Sequence, residues 1–203
     1  ASQRVVDDVN NGREPFPGEP GLVEGIIRSL DSGLLSATTS NSEASSGADV
    51  IVVIVPMYVD ENGVPDYSIL ESASRDIGAV LTPGQTVIYE TTLPVGATRS
   101  RLAPVLEESS GLTAGEDFHV VHSPERVFSG RIFEDLKSYP KIVGGLTPLC
   151  GQIAVSFYEA VLNFDERSDL VQPNGVWDLG SVEAAEFTKL AETTYRDVNI
   201  ALA

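Results

Sequence analysis

The sequence predicts an α/β protein in which a doubly wound parallel sheet is followed by the start of a long helix. Three observations support this prediction. Short β-branched apolar runs alternate with segments of helical spacing, which is typical of parallel βαβ units. The helical segments are bounded by residues that favour helix termini. The last segment keeps helical spacing up to the final residue and contains no stop signal.

Five runs are predicted to be strands. The first, ADVIVVIVP, is continuous, β-branched and ended by Pro56, which favours a strand buried on both faces. The other four are TVIYETT, FHVVHSP, KIVGG and DLVQP. Ligands bind beyond the carboxyl ends of the strands in an open parallel sheet, so the residues that follow each strand are candidates for a site. These candidates are Pro56-Met57-Tyr58, Glu90-Thr91-Thr92, Ser123 to Arg126, and Gly144-Gly145.

Helical spacing predicts three helices between the strands. The first should start at Pro65-Asp66 and carry one apolar face, made of Ile69, Ala73, Ile77 and Val80. The second, VGATRSRLAPVLEESSG, is closed by Gly111 and must be kinked or divided at Pro104. The third should begin with Thr147 as its N-cap and Pro148 in its first turn.

The last predicted helix, SVEAAEFTKLAETTYRDVNIALA, carries charged residues beside an apolar stripe. The stripe consists of Phe187, Leu190, Ala191, Thr194, Val198 and Ala201. Lys189 lies off the stripe and shares a face with Thr193 and Arg196. This face is either solvent surface, with Lys189 paired to Glu186 or Glu192, or the lining of a cleft for an acidic or phosphorylated ligand.

Composition excludes several classes of function. The chain has 30 Asp plus Glu against 13 Lys plus Arg, a net charge of -17 that disfavours nucleic acids and anionic membrane surfaces. No apolar run is long enough to span a membrane, and the first residues lack a signal-peptide pattern, so the predicted location is the cytoplasm. The single cysteine, Cys150, forms no internal disulfide, is expected to face the core, and leaves no basis for a metal site.

Six segments resemble the UDP-glucose/GDP-mannose dehydrogenase family in the order of their occurrence: VNNGREPFPGEPGL, ADVIVVIVP, YETTLPVGATR, SPERVFSGR, KIVGGLTP and FTKLAETTYRDVNIALA. The SPER and YRDVNIA pieces most resemble the branch that acts on UDP-N-acetylmannosamine or related amino sugars. The resemblance implies a Rossmann-like fold and oxidation of the primary alcohol of a UDP-sugar to a carboxylate, in two NAD-dependent steps. It also implies an NAD-binding domain over residues 1–178, and a central helix, beginning at residues 179–203, through which the full-length protein forms a homodimer.

The resemblance also implies roles for individual residues. Glu125 corresponds to a glutamate that assists proton transfer, and Lys189 to a lysine that stabilises an alkoxide or oxyanion. Thr92 corresponds to a hydroxyl near the nicotinamide, and Pro56-Met57 to a strand end that contacts NAD.

The nucleotide-sugar is expected to lie against a second group of residues: Arg126, Val127, Lys189, Thr193 and Arg196. The simpler alternative for Glu125 and Arg126 is an ion pair with each other at the protein surface.

Some features depart from the family pattern. Thr193 and Met57 replace an asparagine and a threonine, which leaves open a non-catalytic interaction domain of the same fold. A hydroxyacid dehydrogenase of the 6-phosphogluconate type is a second alternative. The sequence contains no G-x-G-x-x-G motif and no cysteine at the family's catalytic position, so it is expected to lack the first βα unit of its domain and to be inactive alone.

Overall fold

A computed structural model describes residues 2–203 of the chain. Its main sheet has five strands in the order β1-β4-β5-β6-β7. These strands are β1 (Val50–Val53), β4 (Thr86–Tyr89), β5 (His119–His122), β6 (Lys141–Gly145) and β7 (Val176–Asp178). β1, β4 and β5 run parallel, whereas β6 is antiparallel to β5 and β7 runs parallel to β6. A separate hairpin pairs β2 (Tyr58–Val59) with β3 (Pro65–Asp66).

Helices pack on both faces of the sheet, as the predicted doubly wound architecture requires. They are α1 (Gln3–Asn10), α2 (Leu22–Asp31), α3 (Asn41–Ser45), α4 (Ser68–Gly78), a π-helical segment (Thr98–Leu102) that continues into α5 (Ala103–Ser110), α6 (Ile132–Ser138), α7 (Pro148–Val161) and α8 (Val182–Leu202). None of the helices between residues 2 and 203 is long and apolar enough to cross a membrane.

The alternation of side chains along the central strand divides the core into two clusters. Val87 and Tyr89 of β4 point into a cluster with α4 and α5, whereas Ile88 points into a cluster with Val121 and α7. Cys150 is fully buried in the second cluster, as expected of a small apolar residue.

The local predictions of helix boundaries are largely confirmed. The Thr147 hydroxyl accepts a hydrogen bond from the backbone N–H of Cys150 at the start of α7. Gly111 closes α5 with φ 73°, a left-handed conformation that favours glycine. Pro104 stands in the first turn of α5, where the π-helical segment ends, and so marks a boundary. The Pro65-Asp66 start is wrong, because these residues form β3 and α4 begins at Ser68.

Two strand predictions need correction. β1 is not buried on both faces: Val52 is 41% exposed and Ile54, just after the strand, is 70% exposed, because the second core cluster reaches Val50 but not Val52 on that face. The DLVQP segment is not a strand. The chain bends there, and β7 forms a few residues later, at Val176–Asp178.

The direction of β6 overturns the expectation that Gly144-Gly145 lie at the ligand-binding edge. Because β6 is antiparallel to β5, Gly144 lies beside His122 and Gly145 beside Val121, and the chain continues from them toward the opposite edge, so that Lys141 is the residue of β6 at the end where the parallel strands finish. The glycines serve close packing instead. A Cβ at Gly144 would overlap the carbonyl oxygen of Ser181, and one at Gly145 would overlap the backbone nitrogen of Gly151, so the starts of α8 and α7 require both.

α8 contacts the rest of the chain through a different face from its apolar stripe. Its buried residues are Val182, Ala185 and Glu186, all in the first two turns. The stripe faces solvent, with Phe187 62% and Val198 52% exposed. The helix is therefore buried only near its N-terminus; beyond Glu186 it projects from the core, and polar contacts of Lys189 and Glu192 link it to the loop after β5.

Candidate functional site

A cavity of about 440 Å³ opens at the carboxyl ends of β1, β4 and β5, where the parallel sheet predicts a ligand site. We call it the strand-end cavity. Its wall is largely apolar, and it is lined by Ile54, Val55, Pro56, Glu90, Thr91, Thr92, Pro124, Glu125, Arg126, Val127, Ile132, Asp135, Leu136, Tyr139, Pro140 and Lys141. An apolar wall with a few convergent polar groups is typical of cofactor sites.

A second cavity of about 600 Å³ lies between the loop after β5 and the projecting part of α8. We call it the helix cavity. It is lined by Arg126, Val127, Phe128, Tyr139, Lys189, Glu192, Thr193, Tyr195, Arg196, Asn199, Ile200 and Ala203. Arg126, Val127 and Tyr139 line both cavities and form the wall between them.

The predicted site residues divide between these cavities. Pro56, Thr92 and Glu125 line the strand-end cavity, whereas the predicted residues on α8, which are Lys189, Thr193 and Arg196, line the helix cavity. Met57 lines neither, because its side chain packs against the core cluster beneath β1.

Glu125 and Lys189 meet at the boundary of the two cavities. The Lys189 ammonium donates a hydrogen bond to the backbone carbonyl of Glu125, with Nζ and O 2.6 Å apart. The Glu125 carboxylate turns back and accepts from the backbone N–H of Val127. The alternative that pairs Lys189 with Glu186 or Glu192 is wrong, because those two carboxylates have other partners.

Glu186 is fully buried and accepts hydrogen bonds from the backbone N–H groups of Gly96 at 2.5 Å and Thr98 at 2.8 Å. This contact holds the first turns of α8 against the segment after β4. The position of Lys189, one turn further along, follows from it.

Arg126 does not pair with Glu125 either. Its guanidinium binds Glu192 of α8 through two nitrogens, at 2.8 and 2.9 Å, and its third nitrogen donates to the carbonyl of Pro140 at 2.9 Å. Thr193 donates its hydroxyl hydrogen to the carbonyl of Lys189 within α8. Arg196 lies over the ring of Phe128, with its guanidinium carbon 5.8 Å from the ring centroid.

The sequence alone missed a buried polar cluster at the floor of the strand-end cavity. The Lys141 ammonium and the Tyr158 hydroxyl both donate to one carboxylate oxygen of Glu90, each at 2.5 Å. Burial lowers the pKa of Lys141, and the neighbouring Glu90 carboxylate opposes this shift. Burial also raises the pKa of the Tyr158 hydroxyl, and Glu90 adds to the effect. Only the antiparallel direction of β6 brings Lys141 to this place.

His122 lies in the same region. It is fully buried, and neither ring nitrogen has a hydrogen-bond partner among the described residues. Burial, reinforced by the positive charge of Lys141, lowers the pKa of His122 to about 3. The imidazole is therefore neutral at physiological pH, and protonating it would place a second positive charge beside Lys141.

This shift predicts a loss of stability in mild acid. The unfolded chain binds a proton at His122 below its ordinary pKa of 6.5, whereas the folded chain does not until the pH approaches 3, so acid favours unfolding between these values. At pH 5 the cost is about 2 kcal/mol relative to neutral pH. Urea titrations at both pH values should show this difference reduced in His122→Leu. An equal acid sensitivity in that variant would contradict the assignment.

Two further carboxylates hold the loop that forms the outer wall of the strand-end cavity. Glu19 accepts hydrogen bonds from the backbone N–H groups of Gly130 at 2.8 Å and Ile132 at 2.7 Å. Buried Asp135 accepts from the N–H of Phe128 at 2.9 Å. The segment between α1 and α2 thus supports a cavity wall whose residues are more than 100 positions away in the sequence.

Comparison with known proteins identifies relatives of this chain in both sequence and fold. Residues 1–162 match the model of the NAD binding domain of the UDP-glucose/GDP-mannose dehydrogenase family.

Across residues 2–203, no group of three or more His, Cys, Asp or Glu side chains is placed to hold a metal ion.

The similarity extends beyond that domain. The chain is 34% identical to the UDP-N-acetyl-D-mannosamine dehydrogenase of Campylobacter jejuni over 209 residues, which cover 100% of this chain and 47% of that protein. It is 35% identical to the UDP-N-acetyl-D-glucosamine 6-dehydrogenase of Pseudomonas aeruginosa, over 96% of this chain and 44% of that protein. The solved structure of UDP-D-ManNAc dehydrogenase from Pyrococcus horikoshii superposes with a TM-score of 0.87 at 33% identity, over 98% of this chain and 44% of that one. The chain thus spans less than half the length of these relatives.

Proposed function

The chain belongs to the UDP-glucose/GDP-mannose dehydrogenase family, and on this premise we propose that it is the NAD-binding part of an NAD-dependent UDP-sugar 6-dehydrogenase. One observation carries the proposal. Two adjoining cavities share the wall at Arg126 and Val127, and Lys189 is hydrogen-bonded to Glu125 where they meet. A cofactor in one cavity and a sugar in the other would face each other across this junction. Residues 1–178 form the cofactor domain, and residues 179–203 begin the central helix.

The strand-end cavity fits the nicotinamide end of NAD. Its apolar wall, with Val55 and Pro56, suits a flat ring, and Thr92, which follows β4, also lines it. Among the described residues, the cation at the floor is Lys141, and it is already paired with Glu90. When bound, NAD supplies the hydride acceptor of the reaction. Met57 contributes packing beneath the cavity rather than a side-chain contact.

The residues at the junction have separate tasks in this proposal. The exposed Glu125 carboxylate receives a proton from the reacting alcohol or from water. The Lys189 ammonium stabilises the negative charge that develops on the substrate oxygen. The helix cavity holds the nucleotide-sugar through Arg126, Val127, Thr193 and Arg196, and the product is the uronic acid of the sugar.

UDP-N-acetylmannosamine is the proposed substrate, because the SPER and YRDVNIA pieces most resemble that branch and two mannosamine dehydrogenases align with almost the entire chain. A uronic acid of an amino sugar suits polysaccharide biosynthesis. The use of NAD, together with a single buried thiol, fits the cytoplasm.

The direct test uses the intact protein, meaning this chain together with the sequence that brings it to the length of its relatives. NADH formation should be measured with UDP-N-acetylmannosamine, UDP-N-acetylglucosamine and UDP-glucose. We expect the mannosamine substrate to give the highest kcat/KM and two NADH per sugar. One NADH per substrate would favour a hydroxyacid dehydrogenase of the 6-phosphogluconate type, and no NADH with any sugar would favour a non-catalytic domain.

We further propose that the intact protein is a homodimer that buries the exposed stripe of α8. Apolar side chains such as Phe187 and Val198 point to solvent along this helix, and the stripe extends from Phe187 to Ala201. Val198→Asp should therefore shift the intact protein from dimer to monomer in sedimentation velocity, because it would place a charge in the interface. A dimer of undiminished stability in this variant would contradict the proposed interface.

A further inference from the structure

The ion pair between Arg126 and Glu192 stands out among the contacts of the helix cavity. Nε and Nη2 of Arg126 bind the two oxygens of the Glu192 carboxylate in a bidentate arrangement, with distances of 2.8 and 2.9 Å. A guanidinium binds a phosphate group with the same two-point geometry. The pair joins the loop after β5 to α8, across 66 positions in the sequence.

The charges around this pair are unequal. The helix cavity is lined by three cations, which are Arg126, Lys189 and Arg196. Among the described residues that line it, Glu192 is the one carboxylate. Its hydrogen bond to Arg126, assisted by the charges of Lys189 and Arg196, lowers the pKa of Glu192 despite its partial burial. The three cations make the helix cavity suitable for an anionic ligand, but the Glu192 carboxylate already occupies part of it.

The two partners differ in exposure. The Arg126 side chain is 19% exposed and is fixed by Pro140, whereas the Glu192 side chain is 46% exposed. Moving the carboxylate into water would cost little, because it is already half hydrated. Leaving the more buried guanidinium without any anion would cost more. An incoming anion could thus replace Glu192 while Arg126 stays in place.

We propose that Glu192 is an internal counter-ion for Arg126, and that the diphosphate of the nucleotide-sugar binds by taking the place of the Glu192 carboxylate. This inference rests on the proposed function of the helix cavity. Arg126 then remains paired in both states, and each binding event must break the contact that holds the loop to α8. Glu192 in this way weakens the binding of every nucleotide that carries the diphosphate.

The test measures binding of UDP and of UDP-N-acetylmannosamine to the intact protein by isothermal titration calorimetry. In Glu192→Gln, a neutral side chain of the same shape, both ligands should bind about two- to fivefold more tightly, the size expected for loss of one partly exposed ionic competitor. Uridine, which lacks the diphosphate, should bind equally to both proteins. Glu183→Gln is the matched control, because Glu183 lies on the same helix, pairs with Arg99 and lines neither cavity.

A second variant separates exchange at Arg126 from a general change in charge. Arg126→Gln should weaken UDP binding about tenfold or more. In the Arg126→Gln/Glu192→Gln double variant, the gain from Glu192→Gln should disappear. A gain that persists in the double variant, or unchanged or weaker binding in Glu192→Gln alone, would overturn the proposal. If wild-type protein binds neither UDP nor UDP-N-acetylmannosamine, the proposed function itself fails, and the exchange with it.

Discussion

Lys189→Ala should lower the kcat of the intact protein by about 100-fold or more, because removal of one oxyanion-stabilising group typically costs about 2.7 to 4 kcal/mol. NAD binding should remain nearly normal, since Lys189 does not line the strand-end cavity. Steady-state kinetics with UDP-N-acetylmannosamine and NAD titrations of the same variant would measure the two effects separately.

Two variants serve as controls. Lys189→Arg should not restore turnover, because a planar guanidinium cannot replace a compact ammonium at a single oxygen. Lys137→Ala removes an exposed lysine of α6 and should leave kcat unchanged. Near-normal turnover in Lys189→Ala would mean that the lysine only docks the carbonyl of Glu125 onto α8.

Lys141→Met should destabilise the chain by about 3 kcal/mol, because it leaves the Glu90 carboxylate without its cation in a largely buried place. We place the effect at the lower end for such pairs, since the Tyr158 hydroxyl still donates to Glu90. Chemical denaturation monitored by the fluorescence of Trp177 would measure the free energy of unfolding.

The Lys141→Met/Glu90→Gln double variant should recover much of that loss, because it removes the isolated charge as well. Arg75→Met, which breaks the solvent-exposed pair with Glu71, should cost far less. A double variant as unstable as Lys141→Met would show that the lysine stem, and not its charge, stabilises the cavity floor.

The features that the sequence predicted correctly depend on local chemistry. Each of them is determined within a few residues of the chain. The examples are the Thr147 cap of α7, the left-handed Gly111 that ends α5, and the β-branched run that forms β1. The resemblance to the family added the roles of Glu125 and Lys189, which the fold brings together from distant positions. Without it, spacing alone left the face of Lys189 as either solvent surface or the lining of a cleft.

The direction of β6 could not be predicted in the same way. The connection from β5 to β6 is long enough for a parallel crossover, but its helix, α6, has only seven residues and is about 10 Å long. The chain therefore stays at the carboxyl edge and enters β6 from there. The resulting antiparallel direction of β6 places Lys141 beside Glu90 and Gly144 in close contact with the start of α8.

The pairs at the site were unpredictable for a related reason. Two carboxylates are candidate partners for Arg126: Glu125, its neighbour in the sequence, and Glu192 on α8. Only the docking angle of α8 selects Glu192. That angle depends on the fully buried Glu186, which spacing offered as one possible surface partner of Lys189.

The hydrogen bonds from Glu19 to the backbone at Gly130 and Ile132 join positions 111 and 113 residues apart. In kinetic terms, these contacts close one of the longest loops in the molecule, and the entropy of that closure must be lost before the contacts can form. The sheet and its neighbouring helices can assemble through shorter loops. We therefore expect the outer wall of the strand-end cavity to acquire its shape only when the N-terminal segment docks.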